Sequence, residues 1–465
     1  MIKMKLIKSL LIISILLTAK MLTAQEQPYK LTLEDARNYA LQHNKNLLNA
    51  RDNLKISKEK VREVTAQGLP QVNGTVDYMT YFNYELNFSF GGGGDVTLPD
   101  FTQPPYDMGD QALFYAIMGM FGSSSGPIVM SDQLNANVQV SQLIFSGQYW
   151  AGLQTAKIAR TLSEQNVTRT EQDVVENITN SYYNTLVTEQ SLRILKENIT
   201  DLETILEHTR NMFNTGIWEK VDVDQLRVTL NQLKNTQASV ERYIQLNYNM
   251  MRFQLGVEPS AKIELAENLD QLLTKDIAAQ AVLGGYDLTS NINYQMSESQ
   301  TLLSKKQVSM QSWAYAPTIA GFYSYTEKIL TTGFDMQPKN LVGVNMSVPI
   351  FSSGMRRAQL SQAKVNYDIA QRNQEMAMEQ LELTERQLVF NYQSALENFN
   401  TQKENVDVAK SVFENFQNKY KQGLFSSVEL TQANSNLLAA ESNYISSVQS
   451  LLQAQTALDK LYNRF

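Results

Sequence analysis

Four segments of the chain alternate apolar and polar residues with period two. In the first, Val72, Val76, Tyr78, Phe82, Tyr84, Leu86, Phe88 and Phe90 alternate with mostly Asn, Thr, Asp, Glu and Ser. Leu134, Ala136, Val138 and Val140 alternate with Asn135, Asn137, Gln139 and Ser141. Ile319, Gly321, Tyr323 and Tyr325 form a third set, and Val342, Val344, Met346 and Val348 a fourth. The pattern predicts strands at about 71–90, 134–145, 317–327 and 341–350, each with one apolar face. A soluble half-buried sheet and a membrane barrel with lipid outside and water inside share this signature.

Elsewhere the period lengthens. Leu388, Tyr392, Ala395, Phe399, Gln402, Val406, Ala409, Phe413, Phe416 and Tyr420 recur in alternating steps of four and three, the seam of a coiled coil. Leu192, Leu195, Ile199, Leu202, Leu206, Thr209 and Phe213 form a matching seam. Further seams follow Gly216 (Leu226, Leu230, Leu233, Val240, Ile244, Met251) and Gly423 (Leu430, Leu437, Tyr444, Leu451, Leu458). No proline interrupts 147–213 or 354–420, so each stretch is expected as one helix of about 100 Å at 1.5 Å per residue. Gly216 and Gly423, each followed by a bulky apolar residue (Ile217, Leu424), are expected to end helices in left-handed conformation and turn the chain back.

These elements occur twice. VQVSQLIFSG at 138–147 returns as VNMSVPIFSSG at 344–354, and FNTGIWEKVD at 213–222 returns as YKQGLFSSVE at 420–429. Gly216 lies 207 residues before Gly423, and Ser353 is the single insertion needed. The repeated order is helix–strand–loop–strand–helix–turn–helix. It divides the chain into a first repeat at 25–256, an equatorial linker at 257–283 and a second repeat at 284–465. Prolines suit the borders, since proline cannot donate to a sheet ladder: Pro70 and Pro317 precede strands and Pro349 ends one. The copies differ at 85–133, where the first carries a long loop with Gly91–Gly94. No helix start and no lysine follow that run, so it is no phosphate loop.

Composition removes whole classes of function. The chain has no cysteine and two histidines, His43 and His208, which leaves no thiol chemistry and no metal-ligand cluster. A net charge of −7 gives no basic face for nucleic acid. No nucleophile, base and orienting group stand together, so neither catalysis nor a cofactor is expected. Lys3, Lys5 and Lys8 precede the apolar run Leu10 to Leu17, the layout of a secretory leader at 1–24. Cleavage is expected after Ala24, with Thr18-Ala19 as the alternative. The run is too short to span a bilayer and no later stretch is long enough, so a crossing must use strands. Four strands cannot close a barrel and open edges are not tolerated in lipid. Three chains would supply twelve strands with room for water inside. The expected fold class is therefore an α+β membrane protein: long antiparallel coiled coils, and four strands per chain in a trimeric twelve-stranded barrel above a helical tunnel.

In this order, the duplicated IFSG and IFSSG runs, Leu69-Pro70 and the tip sequence around Tyr420, Gly423, Leu424 and Val428 resemble the TolC-type outer-membrane efflux proteins. The likeness covers the whole chain past the leader. It implies a homotrimeric duct in the Gram-negative outer membrane, its helices in the periplasm. The duct would be joined to a periplasmic adaptor and an inner-membrane RND or ABC transporter, with no catalysis. Protein secretion through the same fold is the near alternative, and a trimeric coiled-coil surface fibre a remoter one. The likeness assigns adaptor contact to Phe213, Gly216, Ile217, Tyr420, Gly423 and Leu424. It places a pore constriction at Asp222, Tyr420, Phe425, Glu429 and Gln432, with a carboxylate–tyrosine pair between Asp222 and Tyr420 and an acidic ring at Glu429. Phe425 stands where an arginine can pair and Gln432 where a second acid can stand, which favours apolar closure over a salt bridge. The plainer reading stays open at both places: any helical turn needs a glycine and an apolar neighbour, and acids at 222 and 429 suit a helix N-terminus.

Overall fold

The computed structural model describes residues 29–82, 84–86, 109, 111–113, 128–130, 132–273, 287–330 and 338–465. The expected leader, most of the long loop at 85–133 and the end of the linker lie outside these residues. The chain divides into a strand unit, 61–154 with 306–362, and a helical unit built from the described residues up to 60, 155–305 and 363–465.

The strand unit holds an antiparallel four-stranded sheet of β2 (Gln71–Met79), β5 (Gln133–Ser146), β7 (Thr318–Leu330) and β8 (Asn340–Ser347), in the order β2-β5-β7-β8. The pairing of β5 with β7 joins the two repeats. Registry carries the period-two pattern straight across the sheet: Val72 pairs with Val140, Val140 with Tyr323, and Tyr323 with Val342. The next row sets Asn73 beside Gln139, then Ser324. On this polar face the Asn137 amide donates to Ser324 at 2.6 Å and to Thr326 at 2.8 Å. The apolar row is exposed: Val72 by 66%, Val342 by 75%. Among the described residues β2 and β8 each pair on one side only, so the sheet has two open edges.

The first strand is shorter than its alternation. β2 ends at Met79, and Phe82, three residues on, takes a left-handed φ of 51° outside the strand region. Tyr84–Leu86 (β3) instead pairs antiparallel with Ile128–Met130 (β4). The passage from strand to helix also differs between the copies. β5 runs directly into the helix that begins at Gly147, whereas residues 348–354 separate β8 from the helix that begins at Met355, with Ser353 and Gly354 both at positive φ. The inserted serine thus lies where the second copy needs a bend.

Among the described residues, the helices that follow the duplicated plan are α1 (Leu33–His43), α2 (Lys45–Ala66), α3 (Gly147–Asn214), α4 (Lys220–Leu255), α5 (Ile292–Trp313), α6 (Met355–Lys421) and α7 (Ser427–Leu461). In the helical unit the coiled-coil seams are buried: Leu195, Ile199, Leu202 and Leu206 of α3, Leu226 and Leu230 of α4, Tyr392, Phe399, Phe413 and Tyr420 of α6. A small parallel sheet of β1 (Tyr29–Leu31) and β6 (Ile263–Leu265) was not evident in the sequence pattern. It is anchored where the buried Tyr182 hydroxyl donates to the Leu31 carbonyl at 3.1 Å. No described helix is long and apolar enough to cross a membrane.

Candidate functional site: the helical hairpin tips

The two helix reversals are built alike. Gly216 (φ 80°) and Gly423 (φ 73°) take the left-handed conformation that costs other residues about 1–2 kcal/mol. Ile217 N donates to Met212 O at 3.0 Å and Gly216 N to Phe213 O at 2.9 Å. Leu424 N to Lys419 O and Gly423 N to Tyr420 O repeat those bonds at 3.0 and 2.9 Å. Both are Schellman ends, which satisfy helix carbonyls that would otherwise be orphaned.

The returning helices begin with matched caps. Asp222, in the first turn of α4, accepts from the backbone N–H of Glu219 at 3.0 Å. Glu429, in the first turn of α7, accepts from Ser426 N at 2.8 Å, and its own N–H donates to Ser426 Oγ at 3.3 Å. The bonds that the Ser426 backbone N–H and the Ser426 hydroxyl donate to the carboxylate, at 2.8 and 2.9 Å, hold the exposed Glu429 carboxyl below its ordinary range. The helix-start reading of the two acids is therefore satisfied in full.

Behind the turns, one apolar core joins both hairpins. It takes Leu202 and Ile205 from α3, Leu226 and Leu230 from α4, Phe413 and Tyr420 from α6, Leu430 and Leu437 from α7. Polar links tie the hairpins together. The Tyr420 and Thr209 hydroxyls lie 2.7 Å apart, both fully buried. The Ser427 hydroxyl donates to Asp222 Oδ1. The Trp218 ring stacks on Tyr420 with centroids 5.1 Å apart, a contact worth about 0.5–1.5 kcal/mol beyond its buried area. Burial, with the nearby Asp222 charge, pushes the Tyr420 hydroxyl pKa up.

The expected site residues separate into two groups. Phe213, Ile217 and Leu424 are exposed by 40, 59 and 68%, with Gly216 and Gly423 exposed beside them. Tyr420, expected among these contacts, has no exposed surface, because its ring fills the tip core. The expected Asp222–Tyr420 pair is not formed: the tyrosine is bonded to Thr209 and the carboxylate to Ser427. Phe425 is half-buried, against Phe416 at 4.7 Å and under the Lys419 ammonium at 5.2 Å. Gln432 is exposed and bonded along its own helix to Asn436. Sequence reasoning missed Thr209, Ser427 and Trp218. Thr209 carried a signal, as the one polar member of an otherwise apolar seam. Among the described residues no cluster of His, Asp and Glu could hold a metal.

The family model described as "Outer membrane efflux protein" matches residues 36–257 and 291–464, one segment in each repeat. The outer membrane protein TolC of Vibrio cholerae serotype O1 is 22% identical over 337 residues, covering 70% of this chain and 77% of that protein. The crystal structure of the outer membrane protein VceC from Vibrio cholerae is similar in fold, with a TM-score of 0.69, 16% identity, and 92% of this chain and 95% of that one covered. The open-state outer membrane channel MtrE of Neisseria gonorrhoeae gives a TM-score of 0.70 at 14% identity over 92% of this chain and 88% of its own. With both repeats matched, the chain belongs to the outer membrane efflux protein family, channels rather than enzymes, which form the outer-membrane exit ducts of tripartite efflux pumps with a helical tunnel in the periplasm.

Proposed function

We propose that three copies of this chain close one twelve-stranded barrel and conduct substrates passively, with no catalytic step. The four-stranded sheet carries the reading. Among the described residues it has an exposed apolar face, a hydrogen-bonded polar face and two open edges. Lipid on the first face, water on the second and neighbouring copies on the edges satisfy all three.

The helical unit supports the same assembly. Helix α4 exposes Val228 and Phe253 away from its buried seam, and α6 exposes Val412 and Phe390. Phe253 lies 33 residues past the start of α4, and Phe390 lies 31 residues before the end of α6. Because the tips are joined, both stand about 50 Å from them at 1.5 Å per residue. Val228 and Val412 likewise stand level, at 8 and 9 residues. Exposed apolar residues on α4 and α6 thus stand at equal heights, which supports a heterologous contact between copies that closes into a ring.

At the tips, exposed Phe213, Ile217 and Leu424 offer apolar anchors to a periplasmic adaptor coupled to an RND or ABC transporter. The Asp222–Ser427 and Thr209–Tyr420 links hold the passage shut, with Phe425 as the apolar element beside them. The leader at 1–24 would direct export before assembly.

Cysteine pairs test the assembly, since the chain has none of its own. Phe253→Cys with Phe390→Cys should give disulfide-linked trimers in membranes, and either change alone should not. Monomer bands only, under oxidising conditions, would refute the ring.

A further inference from the structure

Asn434 lies in α7 between Leu430 and Leu437, both part of the tip core, and is 1% exposed. Its Oδ1 and its Nδ2 are both buried, and neither has a hydrogen-bond partner. Thr209, Ser427 and Asn198 of this unit, also buried, are bonded to Tyr420, Asp222 and Glu441, while Trp218 Nε1 and His208 Nδ1 near the same tip are, like the Asn434 amide, buried without a partner. The position 207 residues earlier is Arg227, exposed and paired with Asp224 at 3.0 Å. The duplicated plan therefore does not require an amide here. A leucine, as at 430 and 437, would suit the burial better.

Its placement gives the amide a direction. Asn434 lies seven residues after Ser427, so both share one face of α7. Ser427 uses that face to reach Asp222 on the other hairpin. The unpaired amide therefore stands two turns behind the link, on the side where the hairpins meet. A buried amide without partners disfavours the state that buries it.

We propose that Asn434 is a built-in bias toward opening, set against the Asp222–Ser427 link: the packed tip leaves its amide unpaired, and parting of the hairpins admits water to it. This rests on the reading of the tips as a gate. The side chain at 434 then sets the open-to-closed ratio in both directions. An apolar residue favours the packed state, and a carboxylate favours the parted one.

The test uses the full-length channel in planar bilayers, with N434L, N434D and S427A recorded beside the wild type. N434L should lower the open-to-closed ratio about tenfold for each tip, equivalent to about 1.4 kcal/mol per chain, and N434D should raise it. N434V, a smaller apolar side chain, serves if leucine prevents assembly. S427A removes the link and leaves Asn434 in place. A raised ratio in S427A with no fall in N434L or N434V overturns this proposal alone. An unchanged ratio in S427A overturns the gate and the proposal with it.

Discussion

Replacing Ser427 by alanine removes one of the two polar links between the hairpins, the bond to Asp222, and little else. Ser427 follows the capping residue Ser426, so the start of α7 keeps its own cap. Asp222 keeps its bond to Glu219 N, so the start of α4 is also preserved. What disappears is one hydrogen bond to a carboxylate. Such bonds contribute about 1.5–3 kcal/mol, and the lower end applies because Asp222 is half-exposed and water can replace the hydroxyl. About 1.5 kcal/mol is a little over tenfold in the open-to-closed ratio of one tip. Three tips parting together would multiply this to about a thousandfold or more. Single-channel recordings should therefore show long closures in the wild type and persistent conductance in S427A. D222A should open the passage too, but with a loss of melting temperature, since a lost cap costs a further ~1 kcal/mol. Wild-type closures in S427A, in protein that assembles normally, would refute the assignment of this bond to the gate.

Tyr420→Phe should weaken the same tip by about 1 kcal/mol, the value of a neutral buried hydrogen bond, while Thr209 keeps its bond to Ile205 O; thermal melting measures it. Gly423→Ala meets no neighbouring atom, so any destabilisation, about 1 kcal/mol, is backbone strain at φ 73°, and Gly216→Ala should match it. Glu429 has its carboxyl held below the ordinary value of 4.5, so its cap stabilises above that pH and fades as pH falls through the lowered value. Melting curves of wild type and E429Q should differ at pH 6 and converge in stronger acid. Burial disfavours charged Lys460, but the hydrogen bonds its ammonium donates to Asp173 and Glu176 at 2.5 and 2.7 Å outweigh it, and the ammonium pKa lies above its ordinary 10.5. That contribution is whole at neutral pH and is lost only as pH rises beyond 10.5. K460M should lower the melting temperature at pH 7, and an unchanged value would show the cluster to be idle.

Much of this architecture is written in periodicities, which is why it could be read early. Strands and seams are set by which face each side chain occupies, and that is a property of spacing. Gly216 and Gly423 were legible because a left-handed residue followed by an apolar one has few other uses. Three-residue strands are another matter. Tyr29–Leu31 and Ile263–Leu265 are too short to display a period, and they pair across more than half the chain. The partners of Asp222 and Tyr420 were missed for a related reason. Both face the other hairpin, and the relative height of two hairpins is fixed by packing rather than by position in the sequence. Asn434 falls on the four-and-three step between Leu430 and Leu437, but that its amide is buried without a partner shows only in three dimensions, since its counterpart Arg227 is exposed.

Whether three chains complete one duct is tested most directly by imaging the purified full-length protein in lipid nanodiscs at a resolution that separates strands. The expected result is three copies around an axis, with β2 of one chain paired to β8 of the next and twelve strands enclosing an open passage. A single chain with unpaired sheet edges, or a ring whose strands leave no passage, would contradict the account.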